Sequence, residues 1–164
     1  MLSIAACGGV EEDGGQATTE SESSTATPST TPGPGPADED SDASDGAPIR
    51  IAFGDTQLTA RLDGTAAARD LAAQLPLTLT FRDHNQAEKT APLPRELSLN
   101  GPPGRHDPAA GDIGYWAPDG DLVLYYDDNA PAFDGIVRIG EIDGGVGSLE
   151  RQSGDFEATV ERRR

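Results

Sequence analysis

The chain has 164 residues and carries 29 Asp and Glu against 12 Lys and Arg, a formal net charge of −17. That length accommodates one domain, and no stretch approaches the roughly 20 apolar residues of a transmembrane helix. The acidic excess, with no basic stripe interleaved with aromatics, excludes nucleic acid as a partner, and a lone cysteine excludes an internal disulfide or a CxxC zinc site.

In chain order, the first element is Ile4-Ala5-Ala6-Cys7-Gly8. It resembles the lipobox of bacterial lipoproteins, an aliphatic residue and two small ones before the cysteine at which the precursor is lipidated and cut. The resemblance implies that residues 1–7 are the remainder of a signal peptide and that Cys7 is a lipidation site. It also implies the membrane as a partner through the lipid anchor, and a location on the extracytoplasmic face. A secretory signal has an apolar stretch of about 7–15 residues, so the true translation start is expected upstream of Met1. The alternative is an idle cysteine on a cytosolic chain.

Gly8 to Ala47 holds no aromatic residue, no Lys or Arg, one sizeable apolar side chain (Val10) and ten acids among Ser, Thr, Gly and Pro. Such a segment cannot bury enough apolar surface to offset its conformational entropy, which predicts a disordered acidic tether over 8–47. As a flexible coil it reaches roughly 35 Å, and further with acidic self-repulsion.

The pattern changes at Pro48, where a domain spanning 48–162 is expected to begin. Ile49, Ile51 and Phe53 alternate with Arg50 and Ala52, and after Gly54-Asp55 the alternation returns in Leu58, Ala60 and Leu62. Two period-two segments around a tight turn predict a hairpin. Thr65 can cap a helix that places Ala68, Leu71, Ala72 and Leu75 on one face, and Pro76 ends it. Leu77, Leu79 and Phe81 predict a third strand that leads into a polar loop from Asp83 to Thr90. Prolines 92, 94, 102, 103 and 108 predict loop up to Ala110, with at most a short edge strand at Leu97 and Leu99.

Gly111 to Trp116 and Leu122 to Tyr126 then read as two strands joined by a Pro118-Asp119-Gly120 turn. The second alternates apolar residues on both faces, as a central or barrel strand does. Ile136 to Ile142 and Phe156 to Val160 are further strands, and Asp143 to Gly147 is expected to be a flexible loop. About seven strands and one or two short helices predict a mainly β fold, and a chain this size protects its edges most easily by closing the sheet.

The order of these elements resembles the small bacterial cyclophilin-like domain. The resemblance rests on the hairpin, the helix ending in Leu75-Pro76-Leu77-Thr78-Leu79 and the Pro-rich loop. It continues through Gly111-Asp112-Ile113 with Tyr115 and Pro118, Leu122 to Tyr126, and Arg138-Ile139-Gly140-Glu141-Ile142. It covers nearly all of 48–162 and implies a compact eight-stranded barrel with helical caps, related in fold to the peptidyl-prolyl isomerases. Those enzymes use an arginine that donates to the prolyl nitrogen beside an aromatic pocket, within Phe-His-Arg and Phe-Gly-rich motifs. Neither motif can be placed on this sequence.

Phe81-Arg82 makes Arg82 the candidate catalytic group for an isomerase. It is equally explained as a solvated residue on the outer side of its strand. Phe81, Tyr115, Trp116, Tyr125, Tyr126 and Phe133 are candidate lining for a ligand cleft, although each is also explained as core or sheet packing. The expected function is thus a peptide- or ligand-binding module, taking a proline-containing peptide or a small molecule, with weak isomerase activity as the alternative. His84, His106, Asp107 and Asp127-Asp128 are metal-ligand types without ligand spacing, and Asp119-Gly120-Asp121 reads as turn chemistry. No metal and no cofactor are expected.

Overall fold

The computed structural model describes residues 46–164. Cys7 and positions 8–45 of the expected tether lie outside the described residues. The domain begins one residue before the expected boundary, with strand β1 at Ala47–Phe53, and β2 follows at Thr56–Leu62. The two pair in register from Ala47 opposite Leu62 to Phe53 opposite Thr56, so the hairpin forms as expected. Helix α1 spans Ala66–Gln74, and the Thr65 side chain accepts from the Ala68 N–H as its N-cap.

Strand β3 at Leu77–His84 is followed by β4 at Glu88–Pro92, the two-residue β5 at Arg105–His106 and β6 at Asp112–Trp116. The chain continues through β7 at Asp121–Tyr125, the two-residue β8 at Phe133–Asp134 and β9 at Ile136–Ile142. The short helix α2 at Gly147–Glu150 and strand β10 at Phe156–Arg162 complete the domain.

Eight strands close into an antiparallel barrel in the order β1-β10-β3-β4-β7-β6-β9-β2, and β5 with β8 forms a separate ribbon. Alternation decides which side chains fill it. Ile49 and Ile51 of β1, Phe81 of β3, Leu122 and Leu124 of β7 and Ile139 of β9 are all buried in one core. Each contributes about 1.5–3 kcal/mol through its burial. Helix α1 adds Ala67, Ala68, Leu71 and Ala72 to the same core, and Phe156 packs against Phe53 and Phe81 at centroid distances of 5.1 and 5.7 Å. At the β2–β9 seam Gly140 faces Leu62, and a β-carbon there would lie 2.3 Å from the Arg61 carbonyl oxygen. Only glycine lets those two strands meet.

One expectation is corrected. The polar stretch Asp83–Thr90 is not a loop: β3 continues to His84, and β4 takes a full place between β3 and β7. The inward residues of β4 are Lys89 and Ala91, so the strand carries no oily alternation. Lys89 is nevertheless fully buried, because its ammonium donates to Asp83 Oδ2 at 2.5 Å and to the Gln152 carbonyl at 2.7 Å. Leu97 and Leu99 form no edge strand. Leu97 is buried and its N–H donates to the Tyr115 hydroxyl, so it plugs the core instead of extending the sheet. The loop after β9 tightens into α2, which delivers Leu149 to the core.

Candidate functional site

The barrel carries a second apolar cluster on its outer face. Ala87, Val123, Tyr125, Ala130 and Ile136 are buried there, with Trp116 packed against them. Because β7 alternates, Leu122 and Leu124 point inward while Asp121, Val123 and Tyr125 share the outward side. That outward row floors a cleft of about 470 Å³. Arg82 and His84 of β3 and Glu88 and Thr90 of β4 form one wall. Trp116, at the end of β6, and Phe133 of the β5–β8 ribbon form the other, with ring centroids 6.2 Å apart at 68°.

The Trp116 indole N–H donates to Asp119 Oδ2 at 3.0 Å, which fixes the ring against the turn between β6 and β7. Phe133 remains 47 % exposed, the one large apolar side chain so placed among the described residues. The Arg82 side chain is 61 % exposed, and its Nη2 lies 4.0 Å from Asp121 Oδ2. Across the ladder, Glu88 is opposite both His84 and Tyr125.

The apolar floor sets the electrostatics of this face. Burial pushes the Asp121 carboxyl above its ordinary value, and the nearby Arg82 guanidinium only partly counteracts this. Burial likewise raises the Glu88 carboxyl, against an opposing pull from His84. The Tyr125 phenol is driven far up by burial and then by the Glu88 charge. Acids in such surroundings hold a charge that solvent does not fully compensate.

The structure therefore brings Arg82, Trp116, Tyr125 and Phe133 to one concavity. The other named aromatics lie elsewhere. Phe81 and Tyr115 are fully buried inside the barrel, and Tyr126 donates from its hydroxyl to Asp83 with its ring 5.1 Å from the Lys89 ammonium. His106 belongs to a different cluster, 3.0 Å from Asp112, which also accepts from Arg138 at 2.7 Å. No group of three or more His, Cys, Asp or Glu side chains among the described residues is placed to hold a metal ion.

Sequence reasoning missed Glu88 and Asp121 as cleft residues. The signal for Asp121 was present in the two-residue rhythm that sets it on the same side as Val123 and Tyr125. For Glu88 it was hidden by the polarity of β4.

Comparison with known proteins agrees with this architecture. The solution structure of a hypothetical protein from Archaeoglobus fulgidus superposes with a TM-score of 0.54 at 19 % identity. The superposition covers 72 % of this chain and 95 % of that one, a likeness of fold. No curated protein matches the chain. The family model described as the Cyclophilin-like family matches residues 51–161, from the first strand of the barrel to the last, and the chain belongs to that family.

Proposed function

We propose that the domain is a peptide- or ligand-binding module carried by a lipid anchor at Cys7 on the extracytoplasmic face of the cell membrane. One observation carries the binding part of this reading: Trp116, Tyr125 and Phe133, from separate strands, surround a cleft of about 470 Å³ whose floor is apolar. Ligand sites are concave, mainly apolar and edged by a few polar groups, and this cleft has that make-up. The lipobox resemblance at Ile4 to Gly8 supports the anchor.

Titration of the ¹⁵N-labelled protein with a proline-containing peptide is expected to move the Trp116 indole resonance and the amides of Val123 and Tyr125. Unchanged resonances at millimolar peptide refute binding of this class. For the anchor, the natural chain expressed in a bacterial host is expected to incorporate a labelled fatty acid and to lose it in Cys7→Ser. Equal labelling of both proteins refutes it.

A second reading is weak peptidyl-prolyl isomerase activity, favoured by the position of Arg82. Its guanidinium stands at the cleft rim with one loose ionic partner, and isomerisation needs a donor that stabilises the twisted amide but no nucleophile. Exchange spectroscopy on a prolyl peptide is expected to show catalysed interconversion that falls in Arg82→Ala. No rate above background, or an unchanged rate in the variant, ends that reading.

A further inference from the structure

The cleft is apolar at its floor and acidic at its edge, and of its acids Asp121 is the poorly compensated one, since Asp119 accepts from the Trp116 indole. Asp121 is only 9 % exposed, yet among the described residues no hydrogen bond reaches its carboxylate, and its charged neighbour is Arg82 at 4.0 Å. The Asp121 side chain keeps 13 % exposure, so its oxygens retain contact with solvent, although a carboxylate so enclosed ordinarily accepts several hydrogen bonds or pairs closely with a cation. Its oxygens open instead into the same cavity that Trp116 and Tyr125 line. Glu88 also faces the cavity from β4, and Asp119 faces it from the turn. Against these three acids stand Arg82, largely solvated, and His84.

We propose that the cleft selects a basic ligand: an apolar side chain seated against Trp116 and Phe133, with an adjoining ammonium or guanidinium group held by Asp121 and Glu88. This rests on the binding-module reading and adds to it the sign of the ligand's charge. A cation entering the cleft supplies the partner that Asp121 lacks, whereas an anion meets Asp121 and Glu88 where burial weakens their screening. Arg82 competes with the ligand for Asp121, so on this reading it weakens binding.

Trp116 is the sole tryptophan of the chain, so intrinsic fluorescence reports on the cleft directly. The probes are three acetylated and amidated tripeptides with a central leucine, flanked by lysines, by serines or by glutamates. The lysine peptide is expected to bind about tenfold more tightly than the glutamate peptide, with the serine peptide between them. Its affinity is expected to fall with added salt, to fall in Asp121→Asn and in Glu88→Gln, and to rise in Arg82→Gln. Two carboxylate variants guard against one of them failing to fold.

Equal binding of all three peptides, or tightest binding of the glutamate peptide, overturns the charge selection while leaving a binding module in place. A Trp116 signal that no peptide changes in the folded wild type overturns both.

Discussion

Gly114 lies against the ring of Tyr125: a β-carbon built on it would sit 3.0 Å from Tyr125 Cε2 and 3.5 Å from Ile136 Cγ2. The Tyr125 ring covers the outer face of β6 because that residue has no side chain. Tyr125 is itself fully buried, so it has little room to give. Gly114→Ala is expected to cost about 1–3 kcal/mol, the range for overpacking a filled interior. A urea midpoint measures the loss, and Trp116 fluorescence is expected to shift with it because the displaced ring moves toward the cleft. A variant as stable as wild type contradicts this account of the outer face.

How much of this was legible in the sequence depends on which side of the barrel a strand spends its apolar residues. Strands β1, β2, β3 and β7 were readable because Ile49, Leu58, Leu79 and Leu124 repeat with period two beside ordinary turn residues. Strand β4 was not, since its inward pair, Lys89 and Ala91, looks like loop chemistry until the partners of the ammonium are known. The cleft was half legible. Trp116 and Tyr125 were visible as aromatics, but only pairing between strands that are distant in sequence shows that Tyr115 faces in while Trp116 faces out. Arg82 joins the cleft because β4 separates β3 from β7, an order that local patterning does not contain.

Lys89 is the sole lysine of the chain, and its burial depends on Asp83. Burial raises the Asp83 carboxyl, but hydrogen bonds from Lys89 and Tyr126 and the Lys89 charge outweigh it and hold the group below its ordinary value. Asp83→Asn leaves the ammonium with the Gln152 carbonyl and the face of Tyr126, and is expected to cost about 2–3 kcal/mol. This is somewhat less than for a wholly buried pair, since the Asp83 side chain is 33 % exposed. Lys89→Met combined with Asp83→Asn removes both charges at similar volume and is expected to recover most of that loss. A double variant less stable than Asp83→Asn alone shows that the pair contributes more than mutual compensation.

Asp70 ties the proline-rich segment to α1. It accepts from the Ser98 N–H at 2.8 Å, the Ser98 hydroxyl at 2.7 Å and Arg95 at 2.5 Å. These hydrogen bonds, chiefly those from Ser98, hold its carboxyl down at about 2, below an ordinary value of 3.8. A carboxyl whose folded value is depressed stabilises the fold above its unfolded value, and that stability is lost as pH falls through the folded one. Asp70→Asn is therefore expected to cost on the order of 1–2 kcal/mol at neutral pH, after allowance for solvent screening, and only a small part of that near pH 2, where the folded carboxyl is half protonated. Urea midpoints of both proteins at the two pH values measure this. A gap of equal size at both means that Asp70 acts through packing and not through its charge.

Glu88 has the opposite sign. Burial raises its carboxyl, with the Asp83 charge adding to the rise, while the His84 charge and a hydrogen bond from Tyr125 oppose it without cancelling it. An acid whose folded value is raised disfavours folding when ionised, so its penalty is absent at low pH and develops as pH climbs from the ordinary value of 4.5 through the folded one. Glu88→Gln is expected to raise the urea midpoint at neutral pH and to leave it unchanged below the ordinary carboxylate range. The same substitution is expected to weaken binding of the lysine peptide, so stability and affinity move in opposite directions, as they do where a site retains an uncompensated charge for its ligand. A variant that loses both stability and affinity would instead make Glu88 a packing residue of the outer face, its carboxylate held by Tyr125 or His84 and not directed at a ligand.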